Sequence, residues 1–212
     1  SLEFHKCVIE DNRWPFMRLQ NSMFSECTFN NHKSPHFEGK NVRFESCKWK
    51  QCQYTHGIFF HCSFNKNRIM NSSFMKSKWS RCSWKRISFI DSNLGINAFS
   101  GHNLQNVIFL KTNMRMCDLN TTTVTSCSWR NANMSFSRMS NVIFKQCSVI
   151  LCVWNDQKHN NCIWDSTLWK DCSFNTSVMN DIKLLNHKEE RVSYKDTVFK
   201  NVIKTRSKIA RL

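Results

Sequence analysis

Position modulo five constrains this chain more than any other property. All twelve cysteines, from Cys7 to Cys172, share one residue class, and all eight tryptophans, from Trp14 to Trp169, lie two positions later. Twelve residues sharing a class by chance has odds of roughly one in fifty million, so the chain is an internal repeat. From Phe44 to Leu184 the tryptophan class runs through 29 repeats of large residues, interrupted by one polar side chain, His159. The class two positions earlier is mostly small, as at Val42, Cys47, Cys52, Gly57 and Cys62. The other three classes are mainly Lys, Arg, Asn, Ser, Asp and Thr.

A period of five fits neither the helical 3.6 nor the strand period of 2. Two inward residues separated by one outward residue describe a short strand followed by a turn. Four such units make a square coil of about 20 residues, stacked on its neighbours at about 4.8 Å. A single coil cannot bury its inner face, so stability must come from stacking. The chain has only four Gly and two Pro in 212 residues. Average usage is roughly 7% and 5%, so the connections must be short and regular.

The units Cys62-Ser63-Phe64-Asn65-Lys66, Cys82-Ser83-Trp84-Lys85-Arg86, Cys127-Ser128-Trp129-Arg130-Asn131 and Cys172-Ser173-Phe174-Asn175-Thr176 resemble the pentapeptide-repeat family. Its pattern is a small residue, any residue, Leu or Phe, then two polar residues. The resemblance covers about residues 4–184 and returns at Tyr194 and Phe199. It implies an all-β fold, a right-handed quadrilateral parallel β-helix of about nine coils, with dimerisation through an end coil a family habit. This chain uses Trp, Cys and Met where Leu and Ala are commoner, which predicts a fatter core in the same fold.

Two stretches break the pattern. In residues 31–41 the core phases hold Ser34 and Gly39, and Pro35 has no ladder N–H, so an irregular loop is expected inside a 1–184 solenoid. In residues 186–191 Glu189 takes the core phase, so 185–203 is expected to be a loop and a partial last coil. A basic tail follows over 204–212. The chain starts without Met or a signal peptide, so it is read as part of a longer protein, and no apolar run is long enough for a transmembrane helix.

Lys and Arg number 31 against 15 Asp and Glu, a net charge of +16, which fits an anionic partner such as nucleic acid, lipid headgroups or an acidic protein and fits a plain basic surface about equally. Residues 20 apart become vertical neighbours, so the surface can be read in columns. Lys48, Lys50, Lys66, Arg68, Lys76, Lys78, Arg81, Lys85 and Arg86 form a candidate anion patch, the alternative being solvated side chains that splay apart. Two sets of outward apolar residues form a candidate protein interface, for a partner protein or for a second copy of the chain. Met70, Ile90 and Leu110 align, with Ile108, Ile150, Leu151 and Leu168 on the same face; Ile96, Met116 and Phe136 align on the next, near Met75. The alternative is that a loop or an absent part of the protein covers them.

No nucleophile is matched with a base, and no CxxC or HxxxH spacing supports zinc, so neither cofactor nor metal is expected. Cysteines in register point the same way, which disfavours disulfides. They read as small core residues, which suits a reducing, cytoplasmic compartment. Sequons at Asn71, Asn120, Asn133 and Asn175 match chance in so Asn-rich a chain. His159 and His102 are expected to be hydrogen-bonded core residues.

Three functions compete. The first is a non-catalytic protein-interaction scaffold, by fold analogy with bacterial effectors delivered into host cells. The second is an electrostatic binder of nucleic acid or anionic lipid, although outward aromatics such as Phe60 and Phe136 are few for base stacking. The third is a topoisomerase-directed protein, disfavoured because such family members are acidic DNA mimics.

Overall fold

The structure, a computed structural model, describes residues 2–205. The chain is a right-handed parallel β-helix of about ten turns, one more than expected. Every pairing joins residues 20 apart, as in Phe64 with Trp84 and Ile69 with Phe89. Three sides of each coil are strands, forming sheets of 11, 10 and 10. We name the sides from one coil: the first face is Met23–Ser25, the second Thr28–Asn30 and the third Glu38–Lys40. Between the second and third lies a turn face, linked to its neighbours by single bridges such as Lys33 with Gln53.

The corners explain the period. Every fifth residue from Lys6 to Asn201 has positive φ, 47–63°. The left-handed region costs an L-residue roughly 1–2 kcal/mol, least for Asn and Asp, whose side chains bond locally. Asn or Asp accordingly takes 16 of the 39 non-glycine corners. Each corner amide from Lys6 to Asn186 donates to the coil above, as Lys6 does to Ser25, so the ladder continues around the bend.

The two inward classes fill the lumen. Seven tryptophans are essentially fully buried, and rings stack from coil to coil, for example Phe59 on Trp79 at 3.8 Å and Phe144 on Trp164 at 3.6 Å. Eleven of the twelve cysteines are buried and all twelve are free thiols.

The irregular loop expected at 31–41 is regular coil. The strand Glu38–Lys40 pairs with coils on both sides. Two compensations explain this. His32 and Phe37 occupy the small phase and are fully buried, filling the volume that Ser34 and Gly39 leave. A Cβ on Gly39 would sit 2.8 Å from the Phe37 ring. Pro35 and Pro15 share one column, directly before the positive-φ corners His36 and Phe16. That is position i+1 of a type II-like turn, which suits proline.

The loop expected at 185–203 is also coil, with strands at Lys188–Glu190, Val198–Lys200 and Ile203–Thr205. Glu189 and Lys204 both occupy the inward phase at this end and pair at 3.2 Å. A charge in a core phase is tolerated where the lumen meets solvent. The basic tail therefore starts as a strand; from 206 it lies outside the described residues.

Candidate binding surfaces

The square section sorts the outward residues onto separate sides. On the second face the strands Lys48–Lys50, Arg68–Met70, Ser88–Ile90, Ile108–Leu110 and Ser128–Arg130 are neighbours in that order. One outward column therefore reads Lys50, Met70, Ile90, Leu110, Arg130. The three apolar side chains are half-buried in adjacent register positions, with a cation at each end of the row. Lys48 and Arg68 are paired neighbours in the parallel column, which continues to Ser88 and the exposed Ile108. Ile150 follows Arg130 in register, and Leu151 is the exposed corner beside it.

Lys66 and Arg86 stand at the corner entering this face, with Lys85 next to it on the first face. Lys66 lies 3.7 Å from Glu45, whose carboxylate also accepts two hydrogen bonds from Asn65 Nδ2 at 3.0 and 2.8 Å. Among the described residues Lys48, Lys50, Arg68, Lys85 and Arg86 form no ion pair. A shallow groove of about 900 Å³ on the first face, lined by Arg43, Glu45, His61, Ser63, Asn65 and Lys85 among others, leads into this corner.

The nine-residue basic patch is therefore divided. Lys48, Lys50, Lys66, Arg68, Lys85 and Arg86 gather around the second face, where they meet Met70, Ile90, Ile108 and Leu110. Lys76 and Lys78 lie diagonally opposite, at the corner between turn face and third face, and Arg81 occupies a third corner. Ile96, Met116 and Phe136 share the corner column of Lys76 and are 43%, 56% and 48% exposed. Sequence spacing placed vertical neighbours together correctly, but closeness in sequence had merged different sides.

The interior groups are quiet. Burial pushes thiols such as Cys47 and Cys117 up to about 12 and Cys162 to about 11, and an unionised thiol is a poor nucleophile; Cys62 and Cys172 are lowered instead, by hydrogen bonding with the buried thiols of Cys82 and Cys152. Burial pulls His32 and His159 down to about 4 and His102 to about 3. His159 Nε2 donates to Gln157 Oε1, and Gln157 Nε2 donates to the Met134 carbonyl at 2.8 Å. His102 differs from expectation: its ring nitrogens have no hydrogen-bond partner among the described residues, and it packs edge-on to Trp84 at 4.8 Å.

One arrangement escaped sequence reasoning. Thr167 Oγ1 lies 2.5 Å from His187 Nδ1, and His187 Nε2 lies 3.5 Å from Glu189. The order hydroxyl, imidazole, carboxylate suggests catalysis, but Thr167 is buried in the lumen and His187 packs on Trp169 at 4.3 Å. The group closes the end of the core. Residue spacing of 20 and 2 in the inward classes was the available signal. Among the described residues no cluster of three or more His, Cys, Asp or Glu could hold a metal, and no helix is long and apolar enough to cross a membrane.

A scan against protein-family models found no match, and neither did a search of curated proteins. Solved structures do match. HetL, a pentapeptide repeat protein involved in heterocyst differentiation regulation from Nostoc sp. strain PCC 7120, is similar with a TM-score of 0.65 and 9% identity, over 94% of this chain and 87% of that one. QnrB1, a plasmid-mediated fluoroquinolone resistance protein, is similar with a TM-score of 0.49 and 10% identity, over 96% and 91%. The catalytic domain of a GH87 α-1,3-glucanase reaches 0.36 and 9%, over 98% of this chain and 56% of the domain. At such identities fold alone is shared, and the HetL likeness, with the coil geometry above, makes that fold the pentapeptide-repeat β-helix.

Proposed function

We propose that this chain is a non-catalytic docking solenoid whose second face binds a protein segment carrying both apolar and acidic side chains. The observation that carries this reading is the row Met70–Ile90–Leu110, bounded by Lys50 and Arg130 and flanked by Lys48 and Arg68 without carboxylate partners. An apolar strip on a rigid sheet supplies the desolvated centre of an interface. The surrounding cations supply the rim, which steers an acidic partner and rejects basic ones. Cations this close repel one another, and a partner carboxylate relieves that repulsion.

Immobilised protein and lysate, eluted in steps of rising salt, test the proposal. The paired variants are Ile90→Asp with Leu110→Asp and Lys66→Glu with Arg68→Glu. A defined protein that survives high salt and is lost with the apolar pair supports docking. Nucleic acid released at modest salt and lost only with the charge pair replaces it with phosphate binding. A role as an effector domain in a host cell, and pairing of two copies through an end coil, are further proposals of the same kind. A translocation reporter and analytical ultracentrifugation test them.

A further inference from the structure

The corner opposite the docking face carries a second feature. Apolar residues occupy five left-handed corners among the described residues, Phe16, Ile96, Met116, Phe136 and Leu151, and four of these five share one column. Ile96 is β-branched at φ 60°, the kind of residue least suited to that region. Met116 and Phe136 follow at φ 58° and 63°. Asn would fit each corner better, so apolar side chains here sacrifice local stability while leaving about half of their surface exposed. Unfavourable backbone choices of this kind concentrate at functional sites.

Chemistry and shape narrow the partner. The three side chains rise coil by coil along a convex edge, joined by the Ile96-to-Arg115 and Met116-to-Ser135 backbone hydrogen bonds. The Arg115 guanidinium lies 5.1 Å over the Phe136 ring. Lys76 precedes Ile96 in the corner column, and Lys78, Arg138 and Lys158 stand in the neighbouring third-face column, all exposed. Five cations thus face two carboxylates, Asp118 and Asp156. A specific protein interface takes about 800 Å² from each partner, which a flat sheet such as the second face can present and a convex corner edge cannot. A bilayer instead yields around a convex wedge, and anionic headgroups answer flanking cations.

We infer that the corner ridge Ile96–Met116–Phe136 is a membrane wedge that inserts into the headgroup layer of an anionic bilayer, leaving the second face free for its protein partner. The test is cosedimentation with vesicles of phosphatidylcholine and phosphatidylserine, mixed at roughly two to one, against phosphatidylcholine alone. The variant Ile96→Asn, Met116→Asn, Phe136→Asn suits left-handed corners and keeps or raises the melting temperature. Its binding to the mixed vesicles should fall about tenfold or more. Lys66→Glu with Arg68→Glu, on the far corner, should change binding by no more than about threefold, being beyond a Debye length. Failure of the unaltered protein to sediment with the mixed vesicles, as expected if the ridge meets an acidic protein groove, overturns the inference. So does equal binding by the Asn variant, or equal loss in both variants.

Discussion

The pair Phe37 and Gly39 tests whether lumen volume, rather than residue class, governs this fold. Phe37→Ala removes a buried ring next to a residue that has no side chain to relax into the hole. Phe-to-Ala changes in cores cost about 3–5 kcal/mol, and this site belongs at the upper end. Gly39→Leu alone adds a Cβ that would stand 2.8 Å from the Phe37 ring and 3.2 Å from the Cys62 sulfur. Overpacking of that kind costs about 1–3 kcal/mol. The double variant restores a small residue followed by a large one, the order used in neighbouring coils, and should lose about 1 kcal/mol or less. The coupling between the two changes is then several kcal/mol in the stabilising direction. Urea unfolding followed by the fluorescence of the core tryptophans measures it. Exchange protection of the strands Glu38–Lys40 and Ile58–Phe60 localises it, since stacked repeats can open in parts. Additive losses in the double variant would refute the volume argument.

Three other results are expected. His32, His102 and His159 are held neutral by burial at about 4, 3 and 4, below the ordinary 6.5. The unfolded chain therefore binds more protons between these values. Stability is fully present above pH 6.5 and falls with acid toward pH 4, by up to about 1.4 kcal/mol per pH unit per histidine. His102→Asn should flatten the denaturation profile by about one proton in that window. A thiol reagent should modify the half-buried Cys7 in the native state and the other eleven cysteines only on unfolding, as mass spectrometry would show. Glu189→Leu should change stability by less than about 1 kcal/mol, because its ion pair with Lys204 is partly exposed. Combined with Lys204→Leu it should promote self-association, visible by sedimentation velocity, because the lumen end then carries neither charge of the pair.

The fold was legible because the inward classes repeat without a shift in register. Reading each class singly obscured the rest. Ser34 and Gly39 look like defects until His32 and Phe37, two residues earlier, are counted in the same volume. Glu189 looked like a loop residue because a core charge is costly, but at the last coil the core borders water and Lys204. The candidate surfaces were half legible. Spacing of 20 placed Met70 on Ile90 on Leu110, whereas assigning Lys76 to the same patch as Lys66 required knowing which corner each residue turns. The partnerless packing of His102 against Trp84 left no trace in the sequence.

The corners also show where selection can be read in such a solenoid. Inward positions answer to volume, so Cys, Ser, Val or Asn there reports packing rather than function. Outward strand positions tolerate most polar residues at nearly equal cost. Corner residues are different, because every one adopts the same left-handed backbone whatever its side chain. Departure from Asn or Asp at a corner therefore has a known sign. A single departure, such as the exposed Leu151, can arise without consequence. A run of three successive coils, ending in an arginine stacked on phenylalanine, combines that local cost with an exposed apolar surface. The Asn variant separates the two contributions: a rise in melting temperature measures the backbone cost, and the accompanying loss of vesicle binding measures what the apolar side chains were retained to do.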